Sequence, residues 1–141
     1  PGVTPGYWED PEATAAAFTT DGWFRSGDAA RMMTDGTIWI VDRIKDMYIS
    51  GGENVYPAEI EDVIDSFDEV SQCAVIGVPD PTWGEVGVAL VQLRAGAALG
   101  EEDVLARCRE RLARYKVPRR IEFAAALPLS PQGKVLKHEL R

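Results

Sequence analysis

The chain has 141 residues, 45% hydrophobic and 27% charged, which suits one ordinary globular, soluble domain or a small domain plus part of another. Its formal net charge of −8 argues against broad nucleic-acid binding, and no stretch approaches the length of a membrane span. Residues 1–6 lack the basic and apolar regions of a signal peptide, and the absence of an initiator Met points to a fragment or a processed product.

Asp10, Pro11 and Glu12 open a helix that residues 13–18 continue, with Asp as N-cap and Pro in the first turn. Asp21-Gly22 is a turn, and residues 23–33 read as extended around Ser26-Gly27-Asp28. A turn at Thr34-Asp35-Gly36 and a strand over 37–41 complete a β-hairpin that ends at Asp42-Arg43. Residues 47–49 are a second short strand. Pro57 starts a helix to about Ser66, with Ile60, Val63, Ile64 and Phe67 at helical spacing. Strands are expected over 70–78 and 86–93, joined by a turn-rich loop over 79–85. An amphipathic helix over 101–114 would bury Val104, Leu105, Cys108 and Leu112. A short strand over 121–123, a loop over 127–134 and a possible helix start at the end follow. From residue 45 onward this pattern is that of a small α+β unit, a short sheet flanked by helices. The polar joint 42–46 is the best candidate boundary.

Charge is unevenly spread. Residues 1–93 carry −13 and residues 94–141 carry +5. A basic last third can hold a polyanionic small ligand, although Arg107, Arg109, Arg111 and Arg114 can equally serve to solvate a helix. Cys73 and Cys108 lie in apolar patterns with no Cys or His neighbour, so no metal site is expected, and reduced thiols of a cytoplasmic protein fit best. His138, the only histidine, has no Ser or Cys motif to serve.

Several residues carry more than one reading. Lys134 follows Gly133 on a Pro- and Gly-containing loop, where it either delivers a positive charge to an anion or is solvated. Gly51-Gly52 removes two Cβ atoms in a row, for an ordinary turn or for a thin ligand passing the backbone. Asp28 is a sugar-hydroxyl acceptor or a turn Asp. Arg43 clamps a phosphate or ribose, or pairs with Asp42 or Asp46. Trp83 stacks on a flat ligand or plugs the sheet end.

Five blocks in order give these pieces a common frame. They are Gly6-Tyr7-Trp8 with Pro11-Glu12-Ala13-Thr14, residues 22–28, residues 42–61, Tyr115-Lys116-Val117-Pro118, and residues 128–134. Together they make the whole chain resemble the adenylate-forming superfamily of acyl- and aryl-CoA synthetases, peptide-synthetase adenylation domains and luciferases. Residues 47–61 look most like the bacterial fatty-acyl-CoA synthetases. Ser26 stands where Thr is commoner, and Lys137 where Arg is frequent.

The resemblance implies that residues 1–44 are the tail of a large N-terminal domain and residues 45–141 a mobile C-terminal domain. It implies ATP and CoA as substrates, with Mg2+ accompanying ATP in the full-length enzyme and no metal ligand in this chain. The partners implied are the upstream domain, CoA and a carboxylic acid. Lys134 would be the catalytic lysine of adenylation, Asp28 and Arg43 would bind the nucleotide, and Lys45 would be the hinge. Gly51 and Gly52 would line the thiol's passage, and Trp83, Tyr115, Lys116 and Arg119 would lie near the CoA nucleotide. The phosphate loop and acyl pocket belong upstream, so the chain alone is not expected to form adenylate. A peptide-synthetase adenylation domain and a non-catalytic nucleotide- or protein-binding module are the alternatives. Cut from their domain, residues 1–44 would expose apolar strand surface such as Trp39 and Ile40, and would be mobile or paired with another chain.

Overall fold

The computed structural model describes residues 2–141; Pro1, the first residue of the expected 1–44 segment, lies outside the described residues. The elements in order are α1 (Pro11–Ala17), β1 (Asp28–Met32), β2 (Ile38–Arg43), β3 (Tyr48–Ser50), β4 (Glu53–Val55), α2 (Pro57–Asp65), β5 (Val70–Asp80), β6 (Gly84–Leu93), α3 (Glu101–Arg111) and β7 (Arg120–Phe123). Single 3-10 turns cover Arg114–Lys116 and Lys137–Glu139. The fold is α+β.

Two sheets form. β1 and β2 make an antiparallel pair with Asp28 opposite Arg43. The second sheet is built on β6, which pairs antiparallel with β5 along its whole length. The other edge of β6 takes β3, with Ser50 opposite Gly84, and then β7 in parallel further along. β4 closes the sheet outside β3. α2 packs on β5, and α3 on β7 and α2. Ile60 and Ile64 from α2, Val104 and Cys108 from α3, and Val75 and Val91 from the sheet form the dry centre. The helical spacing of these residues delivers one apolar stripe from each helix.

Three caps come from different sources. Asp10 accepts the Ala13 N–H at 2.8 Å, as its position before Pro11 predicts. Asp103 reaches back to the Gly100 N–H at 3.1 Å. α2 has no side-chain cap of its own, and Asp42 of β2 instead accepts the Ala58 N–H at 2.8 Å.

The structure departs from the sequence-based expectation at four places. Gly51-Gly52 is a two-residue hairpin turn leading into β4, a strand not foreseen. The expected loop over 79–85 contracts to a turn at 81–83, because the Asp80 carboxylate accepts the N–H groups of Thr82 and Trp83. α3 stops at Arg111, where Leu112 turns to extended φ/ψ, rather than at 114. The last residues form a 3-10 turn only. Among the apolar residues of the β1–β2 pair, Trp39 and Ile40 are 64% and 65% exposed.

Candidate functional site

The paired ends of β1 and β2 bring Asp28 and Arg43 together. Arg43 Nε lies 3.0 Å from Asp28 Oδ1, and its Nη1 donates to the Ser26 carbonyl at 3.1 Å. The partner of Arg43 is therefore Asp28, not Asp42 or Asp46. The Arg43 side chain is about half exposed and that of Asp28 about a quarter. The pair can accept from hydroxyls and donate to an anion at one spot.

The joint follows at once. The Arg43 carbonyl accepts the N–H groups of Asp46 and Met47 at 3.1 and 3.3 Å, which wraps a turn around exposed Lys45. The Lys45 carbonyl faces the Arg141 guanidinium at 3.4 and 3.5 Å. The Asp42 carboxylate spans the joint, with one oxygen on the Arg43 N–H at 2.7 Å and the other on Ala58 at the start of α2. Its negative charge suits a helix N-terminus.

Tyr48 seats β3 on the sheet. Gly77 and Gly87 are opposite each other on β5 and β6, and a Cβ on either would come within 2.4 Å of Tyr48. The ring occupies the slot these glycines leave, is fully buried, and its hydroxyl has no hydrogen-bond partner among the described residues. Burial and the nearby Glu85 carboxylate push the phenol above its ordinary range.

Gly51 and Gly52 have φ of +60° and +88°, the positive values that a primed two-residue turn needs at both positions. They differ in surroundings. A Cβ on Gly51 would lie 2.8 Å from the Trp83 ring, and the Gly51 N–H donates to the Trp83 carbonyl at 2.9 Å. Gly52 faces open space. Trp83 therefore packs on one glycine and leaves the other clear.

A groove of about 690 Å³ runs from this turn between β6 and α3, lined by Ser50, Trp83, Arg109, Arg114, Tyr115 and Arg119 among others. Trp83, Tyr115 and Arg119 thus meet in one place. Lys116 does not line this groove, although its ammonium lies 5.7 Å from the Tyr115 ring centroid and Tyr115 borders both spaces. Its Nζ donates to both carboxylate oxygens of Glu59 at 2.6 and 2.7 Å, in a smaller cleft with Arg31, Asn54 and Tyr56. Sequence reasoning missed Arg109 and Arg114 as groove residues. The helix ends between them, so no periodicity joins them. Arg107 and Arg111 have structural work instead: Arg107 is bidentate to Glu69, Arg111 bonds Ser66, and both cover the Phe67 ring.

Lys134 is the exposed residue just past a tight turn. The Gly133 N–H donates to the Ser130 carbonyl, the Ser130 N–H to the Lys134 carbonyl, and the Leu136 N–H to the Pro128 carbonyl. Its ammonium enters no ion pair among the described residues. Three residues on, Lys137 Nζ lies 2.7 Å from Glu61 Oε1. That same oxygen accepts the Val75 N–H at 2.7 Å. Burial pushes the Glu61 carboxyl up, and Lys137 pulls it the other way.

Cys73 and Cys108 are free and buried, and burial raises both thiols. Among the described residues no three His, Cys, Asp or Glu cluster as a metal cage, and no helix is long and apolar enough to cross a membrane.

The AMP-binding enzyme C-terminal domain family matches residues 59–134, more than half of the chain. The chain belongs to this family. Within the match lie most of α2, the groove residues from Trp83 to Arg119, and the turn that carries Lys134. Similarity extends beyond it to the whole chain. A feruloyl-CoA synthase of Amycolatopsis sp. is 53% identical over all of this chain, which covers 28% of that protein. The long-chain-fatty-acid–CoA ligase FadD13 of Mycobacterium tuberculosis is 51% identical over 96% of the chain, which covers 26% of that protein. The chain thus spans little more than a quarter of the length of the curated relatives it matches.

Among solved structures, o-succinylbenzoate CoA synthetase (MenE) from Bacillus subtilis, in complex with the acyl-adenylate intermediate, superposes with a TM-score of 0.92. Its identity is 34%, over 99% of this chain and 28% of that one. MatB from Rhodopseudomonas palustris superposes at 0.87 in its ATP-bound form and 0.72 in its apo form. Identity to the two forms is 42% and 43%, over 97% and 96% of this chain and 27% of MatB.

Proposed function

We propose that the chain is the C-terminal part of an ATP-dependent acyl-CoA synthetase, an acid–thiol ligase. The full-length enzyme would join a carboxylate and ATP into an acyl-adenylate, releasing pyrophosphate, and then pass the acyl group to the CoA thiol, releasing AMP. The observation that carries this reading is the match of nearly the whole chain to CoA ligases at 53% and 51% identity. Residues 1–44 would be the tail of the large N-terminal domain, and residues 45–141 the mobile C-terminal domain.

The residues divide between the two half-reactions. In the first, two anions must meet, and the unpaired Lys134 ammonium would lower their repulsion at carboxylate and α-phosphate. Asp28 would accept from the ribose hydroxyls, with Arg43 holding that carboxylate in place. In the second, the thiol must approach along the backbone, and Gly52 offers a face without a side chain. The CoA nucleotide would lie in the groove of Trp83, Tyr115 and Arg119. Lys116 would first have to leave Glu59 to join it. Mg2+ would arrive with ATP.

One set of walls cannot serve both steps, so the small domain would rotate about Lys45 between them. The better superposition on ATP-bound than on apo MatB supports reading the present arrangement as the adenylating one. Relatives named for feruloyl and long-chain fatty acids match almost equally well, so acid choice would rest on residues outside this chain. A cytoplasmic location fits the two free thiols.

The test is Lys134→Ala in the full-length enzyme. Adenylate formation should be abolished, and thioester formation from supplied acyl-adenylate largely spared. Equal loss of both steps would refute the role given to Lys134.

A further inference from the structure

The Lys134 ammonium is useful only if it arrives at one place. The backbone bonds within 128–136 fix the shape of its turn but not the direction in which the turn points. Two residues tie that segment down. Leu127 is buried at its start. Lys137 anchors its end, one residue beyond the Leu136 N–H that closes the turn on Pro128.

The Lys137 anchor is an ion pair with little solvent around it: the side chains are 16% and 17% exposed. Such a pair is a poor source of net stability, because both charges lose their water. Two apolar residues would hold the segment at least as firmly. A short charge-assisted contact supplies direction instead, since its distance and angle are narrowly defined. Glu61 Oε1 is itself fixed from two sides, by the backbone of α2 and by the Val75 N–H of β5.

We propose that Glu61 and Lys137 are positioning residues for Lys134, their ion pair aiming the turn so that the ammonium reaches the reacting carboxylate and phosphate. This rests on the reading of Lys134 given above.

The experiment uses the full-length enzyme and separates the half-reactions. Lys137→Met should lower kcat of adenylation about ten- to a hundredfold, with KM for ATP and thioester formation from supplied acyl-adenylate each changed by less than about twofold. Lys137→Arg, which can still reach Glu61, should recover most of the adenylation rate. Glu61→Gln keeps the shape and the Val75 bond, and should show the same split more weakly; it decides the matter if Lys137→Met does not fold. Equal loss in both half-reactions would make the pair merely structural and overturn the proposal. Unchanged adenylation in both variants, beside an inactive Lys134→Ala, would overturn the positioning role and leave the function standing. An active Lys134→Ala would overturn both.

Discussion

On the proposed rotation about Lys45, Asp42→Ala should shift the balance between the two domain arrangements. The carboxylate makes two bonds of different kinds. The bond to Arg43 is between neighbours in sequence and survives any turn at Lys45. The 2.8 Å bond to Ala58 crosses the joint and cannot survive it. A hydrogen bond to a charged group is worth ~1.5–3 kcal/mol net, and this one is part-buried. At 1.4 kcal/mol per factor of ten, losing it should move the ratio of adenylating to rotated arrangements about 10- to 150-fold. Fluorescent labels on the two domains of the full-length enzyme would read that ratio by energy transfer, with and without ATP. The adenylation rate should fall as the adenylating population falls, and the thioester step from supplied acyl-adenylate should hold or rise. An unchanged energy-transfer distribution, or a parallel loss in both half-reactions, would refute the state-dependent role.

Gly52→Leu should have the opposite signature, with adenylation kept and thioester formation lost. Its side chain would fill the open space beside Gly52 at a φ of +88° that also costs ~1–3 kcal/mol. CoA turnover persisting in a folded variant would sink the passage role. Tyr48→Phe removes a buried hydroxyl without a partner, so urea unfolding should show equal or greater stability, by up to ~1–3 kcal/mol; a clear loss would mean the hydroxyl is bonded. Cys73 is buried with its thiol pushed up, so iodoacetamide followed by peptide mass mapping should find it unmodified at pH 8 in the native protein and modified in urea. Rapid native labelling would contradict the packing.

The legible parts of this chain are those with a local period. α2 and α3 announce themselves by apolar residues three and four apart, and β5 and β6 by long apolar runs. β4 does not, because Glu53-Asn54-Val55 buries only Val55 and exists as a strand because Gly51-Gly52 folds it back on β3. The Tyr48 slot was equally hidden. Gly77 and Gly87 look like two weak points in strands until the register sets them opposite each other under the ring. Among the site residues, Lys134 and the glycine pair stood out through short motifs. Arg109 and Arg114 did not, since they meet only after the chain turns between them. The bond from Asp42 to Ala58 and the pair of Glu61 with Lys137 join residues that no local pattern relates.

Those two long-range contacts fall on one helix, and this decides how the joint can act on the lysine. Ala58 and Glu61 are three residues apart, so they share a side of α2. At one end α2 takes its missing cap from the strand that carries Arg43. One turn on, it holds the segment that carries Lys134. A nine-residue helix packed on β5 does not bend between these points, so rotation at Lys45 that frees Ala58 must carry Glu61, Lys137 and Lys134 away together. A helix without its own cap, paired positive φ values and a shielded ion pair thus lie around the proposed joint and the proposed anchor of Lys134.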